Sequence, residues 1–137
     1  MMDIKLSSGI KTLRFCDDDG TELFSFRINP TDTNLAERCE KVSQYFEKRT
    51  VNDTTTIASA AALNRDLETQ INYLIGMPDG ETIFKPPLTA CTVLESGDLL
   101  AAFVLDQVIT VVEPIMKERA KKAANKAAAY MKKYERV

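Results

Sequence analysis

The sequence contains no histidine and no tryptophan. Histidine is the side chain best suited to proton transfer near neutral pH, and it is the commonest ligand of transition metals. Without it, neither a Ser–His nor a Cys–His nucleophile pair can be assembled within one chain. No other set of nucleophile, base and metal ligands is present in the sequence, so we expect no catalytic site, no metal site and no cofactor.

Cysteine and glycine are also scarce. Cys16, Cys39 and Cys91 are an odd number at wide spacing, which favours reduced thiols over a disulfide framework. Cys39 falls on the apolar face of a predicted helix, where a thiol behaves as a small hydrophobic side chain. The five glycines are scattered and form neither GxxxxGK[ST] nor GxGxxG, so the sequence predicts no phosphate-binding loop.

Long apolar runs are missing as well. No window approaches the roughly 18 consecutive apolar residues that a membrane span requires. Residues 1–5 lack the basic start and apolar run of a signal peptide. We therefore expect a protein that stays in the cytoplasm where it is made, and 137 residues are enough for one domain but not two.

The charges are distributed unevenly along the chain. Residues 117–137 hold eight basic residues against Glu118 and Glu135, a net charge of +6. The other 10 basic and 18 acidic residues give residues 1–116 a net charge of −8. A basic tail on an acidic body is suited to binding an acidic partner, or the body of a neighbouring copy.

The first thirty residues predict a β-hairpin. Residues 10–15 and 23–28 alternate apolar and polar side chains, and the Asp17–Gly20 segment between them has turn chemistry. Its three contiguous acids do not alternate as calcium ligands do, so we expect a turn rather than a cation site. Residues Ile4–Leu6 are a candidate for a short third strand.

Three helices are predicted after the hairpin. The first runs from about Leu35 to Lys48, and the second ends near Ile75, with Gly76 as its C-terminal stop. Residues 77–97 are expected to be mostly loop, with Ile83 and Phe84 inserted into the core.

The third helix is predicted to be the longest. It begins near Leu99, with Ser96 or Asp98 as its N-cap, and continues through Pro114 because strong helix formers follow. The sequence thus predicts an α+β fold in which a hairpin or small sheet packs on about three helices. Residues 1–116 form the domain, and residues 117–137 form a basic helical extension.

The segment from Phe24 to Arg38 resembles the strand-to-helix entry of siphophage tail assembly chaperones from Gram-positive hosts, where an Asn-Pro or similar turn leads into an amphipathic helix. Residues 71–76 and 82–84, followed by a long C-terminal helix ending in a Lys/Tyr-rich stretch, are similar too. Together these features cover most of residues 10–134.

The resemblance implies a non-catalytic role. Members of the family bind the tape measure protein, the long helical ruler of the tail, and keep it soluble while the tube polymerises. The resemblance also implies self-association in the host cytoplasm, and in some cases a longer frameshifted product.

The long C-terminal helix is our candidate for the protein-binding surface. An apolar stripe near its middle, expected to lie past the compact body, would mark an interface if exposed. The candidate contact residues combine this stripe with the basic arm: Val111, Val112, Ile115, Met116, Lys121, Lys122, Lys126, Tyr130 and Tyr134.

Two other functions are compatible with the same features. A structural subunit of the phage particle, from the tail or the head-completion region, would use the helix for permanent contacts. A small nucleic-acid-associated regulator would use the basic tail for phosphate contacts, although no helix-turn-helix or RNP-type aromatic pattern is present to recognise bases.

Overall fold

The computed structural model describes residues 1–48 and 56–134. Five elements follow one another along the chain: β1 (Lys11–Cys16), β2 (Glu22–Ile28), α1 (Thr33–Lys48), α2 (Ile57–Ile75) and α3 (Leu100–Tyr134). The two strands pair antiparallel, and the three helices pack on one another. The fold is α+β with a long last helix, as the sequence predicts.

The hairpin forms where its alternation and turn residues place it. Phe15 pairs with Phe24, and the register shifts between Phe15 and Cys16. In the turn, the amide of Gly20, at φ +86°, donates to the carbonyl of Asp17 (2.8 Å). The amide of Thr21 donates to the Asp19 carboxylate (2.9 Å), and hydrogen bonding to Thr21 lowers the pKa of that carboxyl. The acidic segment is therefore a turn held by its own backbone and side chains.

The prediction of a third strand at Ile4–Leu6 is wrong. Residues 1–10 form no strand, and the sheet of the described chain contains only β1 and β2. The physical reason lies on α3, where the Arg119 guanidinium donates to the carbonyl of Ser8 (3.0 Å). This contact holds Ser8 against the long helix, and residues 1–7 before it are exposed.

Helix α2 begins and ends where local chemistry favours it. Thr56 caps α2, and its side chain and that of Ser59 form a reciprocal capping box. Gly76 ends α2 in the left-handed conformation (φ +81°) that glycine adopts without a steric penalty. The sequence also offers Asn52, Asp53, Thr54 and Thr55 as N-caps of α2, and these positions lie outside the described residues.

The core is formed by one face of each element. Phe24, Phe26 and Ile28 contribute the inner face of β2, and Phe15 stacks on Phe24 with ring centroids 4.6 Å apart. The apolar stripes of the helices complete the core with the following buried residues: Leu35, Cys39 and Val42; Leu63, Leu67, Ile71 and Leu74; Leu100, Ala101, Val104, Leu105, Val108 and Val112. The core therefore extends along α3 as far as Val112.

The loop between α2 and α3 is anchored by two asparagines of α2. The Asn72 side-chain oxygen accepts from the amide of Ile83 (3.1 Å) and from the Thr82 hydroxyl (3.3 Å). The Asn64 oxygen accepts from the amide of Cys91 (3.1 Å). Ile83 and Phe84 are buried, as predicted, because these bonds satisfy the backbone beside them.

Helix α3 begins at Leu100, within one residue of the predicted start, but its cap differs from the prediction. Ser96 donates its hydroxyl to the Asp98 carboxylate (2.9 Å), and neither side chain caps the helix. Instead, the amides of Leu100 and Ala101 donate to the carbonyls of Thr92 (2.8 Å) and Ala90 (3.0 Å). Because the loop folds back on itself, its own carbonyls satisfy amides that a side chain would otherwise cap. Beyond this point α3 continues through Pro114, as predicted.

We predict that Asn72→Ala lowers the free energy of unfolding by about 1–2 kcal/mol. The substitution removes the acceptor for Ile83 and Thr82 and leaves a partly buried amide without its partner. Urea denaturation measures the effect. Gln44→Ala, which truncates an exposed amide side chain on α1, is the control and should change stability by less than about 0.5 kcal/mol.

Candidate interaction surface

All nine predicted contact residues lie on α3, but the body of the protein extends further along this helix than the sequence suggested. Val112 is only 4% exposed and belongs to the core, so the expectation that it lies past the compact body is wrong. Helix α1 packs against this part of α3 and covers Val112. Val111, Ile115 and Met116 are half-buried and keep part of their surface accessible.

A groove runs between α1 and α3 and has a volume of about 370 Å³. Ala36 and Cys39 of α1 form one apolar wall, and Ile109, Val112 and Met116 of α3 form the other. The rim of the groove carries the carboxylates of Glu40 and Glu113 and the ammonium of Lys117. An apolar floor with a charged rim is suited to one face of an amphipathic helix.

A second, smaller groove of about 290 Å³ lies between β1 and α3. Leu13 and Phe15 line it from the strand, and Phe103 and Val111 line it from the helix. The structure therefore does not bring Val111 and Met116 together, because they line different grooves. The single apolar patch expected from the sequence is divided between two sides of α3.

Past Arg119, α3 has no contact with the body that buries its side chains. Residues 120–133, which include Lys121, Lys122, Lys126 and Tyr130, are all exposed, and Met131 is 61% exposed. We call residues 120–134 the arm. The side chain of Tyr134 and residues 135–137 lie outside the description.

One ion pair stabilises the helix where the arm begins. The Lys122 ammonium lies 3.0 Å from the Glu118 carboxylate one turn earlier, and this contact lowers the pKa of Glu118. Both side chains are largely exposed, so the pair adds little to the stability of the fold. Lys121 and Lys126 lie in no ion pair within the described part of the chain, and their charges are available to a partner.

Arg119 is the residue that sequence reasoning missed. In the sequence it contributes only one positive charge to the basic tail. In the structure its half-buried side chain donates to the Ser8 carbonyl and so connects α3 to the segment before β1. Gly9, at φ +77°, allows this approach, since a Cβ atom there would overlap the guanidinium. The available signal was the residue type, because Arg119 is the only arginine among the lysines of residues 117–134.

The cysteines provide a chemical probe of the α1–α3 groove. Cys16 is exposed, whereas Cys39 lies buried in the groove wall, and burial raises the pKa of the Cys39 thiol. We predict that a thiol-specific aromatic disulfide reagent at pH 8 modifies Cys16 first and Cys39 at least tenfold more slowly. Mass mapping of the modified peptides over time measures the two rates. Equal modification rates of Cys16 and Cys39 would contradict the burial of Cys39 between α1 and α3. The control is Cys16→Ser, which should remove the fast phase.

Two further features were sought in the described residues. No three acidic or thiol side chains there converge on a point where they could hold a metal ion. Although α3 has 35 residues, neither it nor another described helix has an apolar stretch that could cross a membrane. Comparison of the chain with protein-family models, with curated proteins and with solved structures returned no match.

Proposed function

We propose that this protein is a phage tail assembly chaperone that binds the tape measure protein in the host cytoplasm and associates with itself during tail morphogenesis. The resemblance in the segment from Phe24 to Arg38, and the order of elements after it, support this assignment. The proposed function is not catalytic, because it depends on binding another protein and not on making or breaking a covalent bond.

The observation that carries the proposal is the exposed arm of α3. Isolated helices shorter than about 12–15 residues are marginal in water, and most helices in proteins are stabilised by packing. Residues 120–133 of the arm are all exposed, and they include Lys121 and Lys126 together with Tyr130 and Met131. Packing against a second protein would give such a helix the stabilising contact that the body does not provide.

The half-buried apolar residues of α3 extend this surface back to the body. Ile115 and Met116 lie directly before the arm, and Met116 opens into the α1–α3 groove. A long amphipathic helix could place its apolar side chains in that groove while the arm runs beside it. A tape measure protein is long and helical, and it aggregates when such faces are uncovered, so it is a partner of the required chemistry.

Co-expression with the longest helical open reading frame encoded beside this chain tests the proposal. We expect the tagged chain to retain that protein on affinity resin and to increase its soluble fraction several-fold. The control is the same pair expressed with a chain truncated after residue 119, which keeps the folded body and lacks the arm. If the neighbour is neither retained nor solubilised, the chaperone function is wrong and the structural-subunit alternative takes its place.

The basic arm is also suited to binding nucleic acid, and this alternative can be tested. Phosphate contacts weaken steeply with salt, because binding releases condensed counterions. A chain that binds RNA or DNA at about 0.15 M salt, and does not bind the neighbouring protein, would contradict the proposal.

A further inference from the structure

The segment before β1 has the pattern of a strand but pairs with no strand in the described part of the chain. Met2, Ile4 and Leu6 occupy alternate positions and are 84%, 82% and 78% exposed, whereas Asp3, Lys5 and Ser7 occupy the positions between them. In an extended chain, residues at every second position lie on one face. The segment therefore exposes an apolar face of three large side chains to solvent.

Strand β1 offers a matching vacant edge. The sheet of the described chain has the order β1–β2, so each strand uses one edge for pairing, and the outer edge of β1 has no strand beside it. Leu13 and Phe15 are only half-buried for the same reason, and they open into the groove of about 290 Å³ that β1 shares with Phe103 and Val111 of α3. A third strand along β1 would direct alternate side chains into this groove.

The segment is directed away from β1 of its own chain. Phe15 contacts Phe103, Leu13 and Val111 line one groove, and Ser8 accepts from Arg119. Residues further toward the N-terminus thus meet α3 progressively further toward its C-terminus. Residues 1–7 precede that last contact, are all exposed, and form no strand beside β1 in the described chain.

We propose that residues 2–7 of one copy add as a third strand to the outer edge of β1 in a second copy, with Met2, Ile4 and Leu6 covering the groove beside Leu13 and Phe15. A two-stranded hairpin is marginal by itself, and a third strand with an apolar face stabilises it. The added strand also covers an edge that would otherwise pair with any exposed strand. Arg119 then acts as an anchor that presents the segment outward from the body.

This contact uses neither the arm nor the α1–α3 groove. It depends on strand pairing and apolar burial, which salt does not screen, whereas an arm-to-body contact between the charges of two copies weakens as salt rises. Self-association through β1 can therefore be measured in about 0.5 M salt, without any tape measure protein, and its failure would not contradict binding of the tape measure protein.

The experiment compares two adjacent substitutions in the full chain. Leu6→Asp places a carboxylate on the apolar face of the segment, and Ser7→Asp adds the same charge on the other face. Both positions are exposed in the single chain, so the fold should be unchanged in each variant, and circular dichroism checks this. Sedimentation equilibrium in high salt gives the dissociation constant between copies, and hydrogen exchange gives the protection of the β1 amides.

We expect the unmodified chain to sediment at no less than twice its mass of 15.3 kDa. Leu6→Asp should raise the dissociation constant at least tenfold and expose the β1 amides to exchange, whereas Ser7→Asp should change both by less than twofold. A monomer in high salt would overturn the proposal, because then no second copy covers the edge. Equal effects of the two variants would overturn it too, since the face of the segment would then not matter.

Discussion

Val112→Asp is expected to lower the free energy of unfolding by about 3–5 kcal/mol, enough to unfold much of the population. Val112 is 4% exposed and packs in the wall that α1 and α3 share. A carboxylate there loses most of its hydration, because Val112 is buried among apolar side chains and no polar or charged residue of the described chain is buried beside it. Urea denaturation, followed by far-ultraviolet circular dichroism, measures the loss.

Ile115→Asp is the matched control for this substitution. Ile115 lies three residues further along α3 and is only half-buried, so its carboxylate can remain hydrated. We expect it to cost less than about 1.5 kcal/mol of stability while still removing apolar contact surface. Comparably small losses for the two variants would mean that the body ends before Val112, as the sequence alone suggested, and the core described here would be wrong at that end.

Reversing the arm charges with Lys121→Glu and Lys126→Glu is expected to weaken binding of the tape measure protein about tenfold or more, with no change in the stability of the body. Both lysines lie on the exposed arm and in no ion pair of the described chain. Lys122 is left unchanged because its pairing with Glu118 stabilises the helix itself. Titration of the purified chain against a tape measure segment, at low and at high salt, measures the effect.

The control for the arm variant reverses two exposed lysines elsewhere, at Lys48 and Lys85. It changes the net charge of the chain equally but leaves the arm intact. We expect its affinity to stay within about twofold of the unmodified chain at physiological salt, where charges separated by more than about 8 Å are largely screened. Equal weakening by the two variants would mean that net charge, and not the arm, controls the association.

The elements of the fold could be predicted because their signals are local. Asp17–Gly20 has the chemistry of a tight turn, Gly76 has the conformational freedom that ends α2, and apolar residues recur at helical spacing along α1. The start of α3 was predicted to within one residue, but its cap was not, because carbonyls of Ala90 and Thr92 replace the expected side-chain cap. The path of the loop that leads into the helix decides this, and it has no signal at the helix start itself.

The candidate surface was predicted less completely, for a reason that helix geometry explains. Periodicity identifies which face of α3 is apolar, but not how far the body extends along it. Neighbouring residues point about 100° apart around a helix, so Val111 and Val112 were bound to face different neighbours. Val112 lies in the core, and Val111 lines the groove beside β1. Of the predicted surface, only the arm is as exposed as expected.

The third strand predicted at Ile4–Leu6 failed as a prediction for another physical reason. Alternation of apolar and polar residues shows that a segment is suited to a sheet, but not that a partner edge lies within reach of it. Here Arg119 binds the carbonyl of Ser8 and holds the segment apart from β1 of the same chain. Such a contact, with its partners far apart in the sequence, has no periodic signal.

The most direct test of the central claim is to quantify this chain, by mass spectrometry with isotope-labelled peptides, in infected-cell lysate and in purified virions. A chaperone is released when the tail is complete, so the account predicts that the chain co-purifies with the tape measure protein from lysate and is absent from the mature particle. Its presence in virions, in fixed ratio to the other tail or head proteins, would contradict that claim and identify it as a structural subunit.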